Sequence, residues 1–171
     1  MSADGVATAA ERFLAEHGEA LAHNLGHDCW RAAEDICRSM ADAGQLPEGV
    51  TPERTLQVIL SLRATLELMA VEQRFGTPAH DRLLAAMDGH YSRTLLRRGS
   101  FLVWIAAAHE TMRRSPDPRR WMTIHAMQLL RTTEPEAATF HLALGYGLRA
   151  GASITTVVAA NIEPAEPSEG S

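Results

Sequence analysis

The sequence contains no lysine: all sixteen of its basic residues are arginine. This absence excludes chemistry that depends on a lysine amine, namely Schiff-base formation, phosphate-binding loops that use lysine, and protein-kinase catalysis. A strong preference for arginine over lysine is typical of a GC-rich genome, so we interpret the chain as bacterial in character.

Cysteines and long apolar runs are also scarce. The two cysteines, Cys29 and Cys37, lie eight residues apart, about 12 Å along a helix, which is too far for a disulfide. We predict that both are small buried residues in a reducing compartment. The longest apolar run, Phe101–Ala108, is much shorter than the ~20 residues of a membrane-spanning helix. Because no signal peptide is recognisable either, we expect a cytoplasmic protein without membrane association.

Motifs of the common catalytic classes are missing. The sequence has no Gly-x-Ser-x-Gly elbow, no cysteine in an activating motif, no glycine-rich phosphate loop after a strand, and no His-Glu-x-x-His;. The sequence therefore favours a non-enzymatic protein, although an enzyme with an unfamiliar helical site stays open. No cofactor is predicted from a motif, and metal or haem binding also stays open.

The residues that are present favour helices. The chain of 171 residues fits one domain;, and alanine, leucine and arginine are good helix formers. Capping side chains precede or accompany helix starts at Thr51-Pro52, Thr77-Pro78, Asp117-Pro118 and Thr133;. We predict an all-α, single-domain bundle of six or seven helices over residues 1–160.

Three segments leave alternatives. Residues 4–43 are either one long helix or two helices with a bend near Gly26, because glycine weakens a helix interior. Residues 153–160 are rich in β-branched side chains, so they form either a short helix or an extended arm. Residues 161–171 are rich in proline and glutamate, and we expect a disordered acidic tail.

The segment from about 100 to 131 is predicted to be a central buried helical hairpin. Phe101–Ala108 is apolar on every side, which is typical of a helix in a protein interior. A second apolar helix begins near Trp121, and arginines flank the turn between the two helices. The hairpin is thus apolar along its length and cationic at its tip.

Charge is distributed unevenly along the chain. Residues 1–50 contain nine acids and three arginines, a net charge of −6, whereas residues 82–131 contain nine arginines and three acids, a net charge of +6. This pattern indicates internal complementarity or association between chains. The candidate anion- or partner-binding residues are Arg97, Arg98, Arg113, Arg114, Arg119 and Arg120;.

Histidines and tryptophans supply further candidates. His109 and His125 lie on the two helices of the hairpin, and with Trp104 and Trp121 they form a candidate ligand pocket;. Methionines nearby would adapt such a pocket to an apolar ligand. His23 and His27 are spaced i, i+4, so both imidazoles share one helix face and form a candidate metal site.

The sequence therefore favours an interaction or regulatory module that works through protein–protein contacts, with another protein or with itself as a homodimer. The alternative function is a sensor that binds a small ligand, a metal or haem through its His, Trp and Met residues. Nucleic acid is not expected as a partner, because the net charge is −5 and no aromatic residues alternate with the arginines;.

Overall fold

A computed structural model describes residues 3–97, 99–115, 117–131, 138–149 and 153–162. These residues form seven helices and no strand, which confirms the all-α bundle. The helices are α1 (Ala3–Asp42), α2 (Pro52–Phe75), α3 (Thr77–Thr94), α4 (Ser100–Arg114), α5 (Pro118–Leu130), α6 (Ala138–Arg149) and α7 (Ser153–Ile162). All seven contribute side chains to one apolar core.

The first helix is continuous and does not bend into two at Gly26. Gly26 instead faces α3: a Cβ atom placed there would lie 2.7 Å from Cε1 of Tyr91. Two turns earlier, a Cβ on Gly18 would lie 3.0 Å from that of Ala86. The two glycines therefore permit close packing of α1 against α3, and this packing outweighs their low helix propensity.

The centre of the bundle is α2, which contacts each of the other six helices. From Thr55 to Val71 no residue of α2 is exposed. Apolar side chains occupy its whole circumference, because they come in the alternating pattern Leu60, Leu62, Ala64 as well as in the helical one;. Neighbouring helices can therefore pack on every side of α2.

The hairpin predicted at about 100–131 forms, with α4 packed against α5, but its central and fully buried position is wrong. Phe101 and Trp121 are buried, whereas Leu102 and Val103 are 43% and 65% exposed. The physical reason is that α2 already occupies the centre. Helix α4 packs on it with one face and leaves the opposite face to solvent.

Two of the predicted helix starts have the expected caps. Thr51 and Asp117 accept hydrogen bonds from the backbone N–H groups of Arg54 (3.3 Å) and Arg119 (3.1 Å);. The third prediction was wrong: Thr77 is already helical, its hydroxyl donates to Glu72, and Gly76 precedes α3 with a positive φ of 89°. The capping box predicted at Thr133 lies outside the described residues.

The β-branched segment from Ser153 is helical and packs on α1 and α2. A buried carboxylate stabilises its start: Oε2 of Glu67 accepts a hydrogen bond of 3.0 Å from the backbone N–H of Ile154;. Asn161 and Ile162 belong to this helix, so the expectation of a disordered tail from residue 161 is wrong for these two residues. Residues 163–171 lie outside the described part of the chain.

The charge asymmetry of the sequence is partly neutralised inside the fold. Glutamates of α1 pair with arginines of α3, through Glu11 with Arg82 at 3.3 Å and through Glu19 with Arg93. These pairs are exposed, so each stabilises the fold by no more than about 1 kcal/mol. Internal complementarity therefore explains the arginines of α3 but not those of the α4–α5 hairpin.

Both cysteines are buried and free, as predicted, and Sγ of Cys37 lies 3.3 Å from the Thr55 hydroxyl. Burial raises the pKa of the Cys29 thiol to about 12;. Among the described residues, no helix combines the length and the apolar character needed to cross a membrane.

Candidate functional site

One face of α4 carries a stripe of residues that lines two surface grooves; Ser100 and Ala107 of this stripe are partly exposed, whereas Trp104 and Thr111 are buried. Ser100, Trp104, Ala107 and Thr111 follow one another at steps of four, three and four, so they share one face of the helix;. Ser100 and Trp104 line the first groove, and Ala107 and Thr111 line the second. We call the grooves the Trp groove and the tip groove.

The Trp groove lies at the start of α4 and has a volume of about 650 Å³. Its apolar surface comes mainly from Trp30 of α1, Leu56 of α2, and Trp104. Polar and charged side chains lie among these residues and make up half of the lining, so the groove combines apolar contacts with hydrogen-bonding groups;. The remaining lining residues are Glu53, Gln57, Thr94, Leu95, Leu96 and Arg97.

The tip groove lies between α4 and α5 near their connection, and its volume is about 330 Å³. Arg114 and Arg120 border it, and Ile124 and Gln128 of α5 form the wall opposite Ala107. This groove therefore combines a small apolar floor with guanidinium groups, and it brings two of the predicted arginines to the same place.

Beside this stripe, on the solvent-facing side of α4, an apolar ridge projects into solvent. Val103 is 65% exposed, and Leu102 and Ala106 beside it are exposed as well. A valine exposed to this degree contributes nothing to the core. The ridge is the largest departure from the rule that an apolar helix buries its side chains, and it lies on the element predicted to be fully buried.

The tip arginines differ in how they are paired. Arg113 and Arg114 both bind Glu110, at 2.6 Å and 2.7 Å, and hydrogen bonds from the two guanidinium groups lower the pKa of its carboxyl;. Arg119 and Arg120 are exposed and form no ion pair with another described residue.

The start of α5 is not an open anion site, because the carboxylate of Asp117 already accepts a hydrogen bond from its first turn;. Arg97 is exposed, borders the Trp groove and likewise has no carboxylate partner within the described ranges. Arg98 lies outside those ranges.

The four residues of the predicted ligand pocket lie in three different places. Trp104 lines the Trp groove, and Trp121 is buried in the core at 2% exposure. His125 is also in the core, where its Nε2 lies 2.9 Å from the Ser61 hydroxyl and burial lowers its pKa to about 4;. His109 is half-buried; its desolvation, together with the nearby His80, lowers its pKa.

The predicted metal pair does share one helix face. The rings of His23 and His27 stack with their centroids 6.3 Å apart, and His90 of α3 contacts His23 edge-on at 5.3 Å. Glu19 lies 3.8 Å from Nδ1 of His90 and also binds Arg93, so its carboxylate is already paired. No three His, Cys, Asp or Glu side chains in the described part of the chain are arranged to hold a metal ion.

Two buried charged residues of α2 were missed by the sequence analysis. Glu67 is fully buried and Arg63 is 9% exposed. They lie four residues apart within a helix that is otherwise apolar on all sides, and that contrast was the available signal. Charged residues are rarely buried without a partner or a role.

Comparisons of the chain with protein-family models, with curated proteins and with solved structures found no match. The surface of the chain itself is therefore the evidence for its function. The α4 face, formed by the Trp groove, the ridge at Val103 and the tip groove, is its main feature.

Proposed function

We propose that this protein is a non-enzymatic interaction module that binds an acidic amphipathic helix of another protein on the α4 face. One observation carries the proposal: the exposed apolar ridge at Val103 lies beside the stripe of α4 that lines both grooves, and Arg97 and Arg120, which border those grooves, form no ion pair with another described residue. Apolar ridges of this kind on a folded domain mark interaction sites more often than chance exposure does.

The spacing of the grooves suits a helix. Trp104 and Thr111 are seven residues apart on α4, which corresponds to about 10 Å along the helix axis. A partner helix that lies along α4 would present side chains i and i+7 at the same separation, and side chains i+3 and i+4 would fall near Ala107, which lies between Trp104 and Thr111. Recognition of a helix in a groove uses anchors at these positions.

The ridge also distinguishes a protein partner from a small ligand. A small molecule in either groove would leave Val103 exposed, whereas a helix that lies along the stripe would also contact Val103, which is three residues from Ser100 and four from Ala107;. The Trp groove offers Trp30 and Trp104 as contacts, and tryptophan is among the residues that contribute most to binding at protein interfaces.

Charge determines which partner fits. Arg97 lies at one end of the face, and Arg119 and Arg120 lie near the other. A helix with acidic residues at both ends would pair with these arginines, while a second copy of the same face would bring arginine against arginine. A homodimer through this face is therefore disfavoured, and a different protein surface is the better partner.

The test uses two synthetic amphipathic helical peptides with leucines at i, i+3 and i+7. One peptide ends in glutamates on both sides and its twin ends in lysines. Tryptophan fluorescence reports binding, because Trp30 and Trp104 line the groove while the buried Trp121 contributes a constant background. We expect the lysine twin to bind at least about tenfold more weakly, a difference of about 1.4 kcal/mol.

Two variants complete the experiment. Val103→Asp should weaken the glutamate peptide, whereas Arg12→Glu, a charge reversal of an exposed arginine that lines neither groove, should not. Equal binding of the two peptides, or full binding by the Val103→Asp variant, would contradict the proposal. A dimer in sedimentation velocity that Val103→Asp dissociates would also contradict it, because the face would then be a self-interface.

A further inference from the structure

A second site, which shares no lining residue with the two grooves of the α4 face, lies around Arg63 of α2. The guanidinium carbon of Arg63 stands 5.9 Å above the centre of the Tyr146 ring, so α6 covers one face of it;. Its Nε atom is buried and has no hydrogen-bond partner among the residues the structure describes. A buried, incompletely paired guanidinium is costly in a folded protein, so its presence requires an explanation.

Arg63 borders a cavity of about 190 Å³ between α1, α2 and α7. Asn24 and Asp28 of α1 form its polar wall, together with Arg63, and Leu25, Ile154 and Val157 form an apolar one. The volume is below the ~300 Å³ of the smallest drug-sized sites and equals about six water molecules in liquid. Any ligand must therefore be small.

The two opposite charges in this cavity do not neutralise each other. Arg63 and Asp28 both line it, yet they form no ion pair within the described structure. The carboxylate of Asp28 lies 3.9 Å from His27 instead, and both of these side chains are more than half exposed. The space between the buried cation and the accessible carboxylate suits a ligand with one charge of each sign. Its negative group would face Arg63 and its positive group would face Asp28.

We propose that the Arg63 cavity binds a free aliphatic α-amino acid. The ligand's carboxylate accepts hydrogen bonds from Arg63, its ammonium group donates to Asp28 and Asn24, and its side chain packs on Leu25, Ile154 and Val157. Arginine is the preferred partner for a carboxylate in a desolvated site, because its planar donors match the two oxygens.

The experiment compares three small molecules by titration calorimetry on the full chain. L-Leucine carries both charges, 4-methylpentanoate lacks the ammonium group, and 3-methylbutylamine lacks the carboxylate. We expect leucine to bind best, 4-methylpentanoate at least about tenfold more weakly because one charge-assisted contact is lost, and the amine not at all. Absence of leucine binding at millimolar concentration would overturn the proposal, as would equal binding of leucine and the amine.

Variants assign the contacts. Asp28→Asn changes an exposed side chain, so the fold should persist; it should weaken leucine by about tenfold while 4-methylpentanoate is unaffected. Asp35→Asn, an exposed acid two turns further along α1 that does not line the cavity, is the matched control and should change neither. Arg63→Gln should abolish binding of both ligands. Unchanged leucine binding by the Asp28→Asn variant would refute the site even if the Arg63 variant fails to fold.

Discussion

His125 should make the stability of this protein fall as the pH is lowered from 8 to 5. Its Nε2 faces the Ser61 hydroxyl, which itself donates to the backbone carbonyl of Val58 at 3.3 Å. Because that hydroxyl proton is already used, we assign the proton of the neutral ring to Nε2. The second nitrogen, Nδ1, is buried and without a partner in the described structure, so a proton added there would be an unpaired buried charge;.

The magnitude follows from the pKa of His125, which burial lowers from 6.5 to about 4. Between these two values the unfolded chain binds a proton at this residue and the folded chain does not. Stability is therefore complete above pH 6.5 and is lost as the pH falls towards 4, by up to about 1.4 kcal/mol per pH unit. From pH 8 to pH 5 the loss amounts to about 2 kcal/mol.

The assay is urea unfolding, followed by circular dichroism at pH 5, 6, 7 and 8, of the natural protein and of His125→Gln. Glutamine keeps a donor near Ser61 but does not titrate, so any cost of the substitution is independent of pH. His90 and His109, whose pKa values are also lowered by desolvation, are present in both proteins and cancel in the difference. When the pH is lowered from 8 to 5, the free energy of unfolding of the natural protein should fall by about 2 kcal/mol more than that of the variant. A difference between the two proteins that stays constant with pH would refute the reasoning.

Three further substitutions test the packing of α1 and the start of α7. Gly26→Ala should reduce the free energy of unfolding by about 1–3 kcal/mol although alanine favours a helix, because its methyl group meets Tyr91. Gly89→Ala is the control, because the nearest described atom at that position belongs to the flexible Arg93 side chain, at 3.5 Å. It should be neutral or stabilising by up to about 1 kcal/mol in the same urea titration. A similar loss of stability at both positions would contradict the steric argument. Glu67→Ala should speed amide hydrogen exchange at Ile154 and reduce stability by about 1–3 kcal/mol, and unchanged exchange would show that the carboxylate does not hold the start of α7.

The fold was predictable to the extent that local signals agree with it. Thr51-Pro52 and Asp117-Pro118 begin helices because the cap and the proline act within one turn;. Gly26 was ambiguous, because its low helix propensity is a local property while its contact with Tyr91 joins residues far apart in sequence. Thr77 shows a different limit, because its competing contacts are local: Gly76 precedes α3 with a positive φ, and the Thr77 hydroxyl donates to Glu72 instead of capping the helix.

Which apolar helix occupies the centre was not predictable in this way. Phe101–Ala108 of α4 and the middle of α2 both have apolar residues on every side, and a bundle of seven helices has room for one at its centre. The length of α2, 24 residues, lets all the other helices pack along it. The shorter α4 therefore lies outside and exposes Val103, and this displacement created the ridge of the candidate interface.

The arginines between residues 82 and 131 look alike in sequence but differ in the structure, where some are paired with a carboxylate and others are not. Arg82 and Arg93 are neutralised by α1, and Arg113 and Arg114 share Glu110. The arginines without a carboxylate partner in the described structure include Arg97 at one end of the α4 face, the pair at positions 119 and 120 near the other, and Arg131 at the end of α5. A cluster that served only solubility would need no such arrangement, since any exposed position would do. The partner that we propose therefore has an apolar middle and acidic ends, and exchanging the charges of its ends is the change to which binding should respond most.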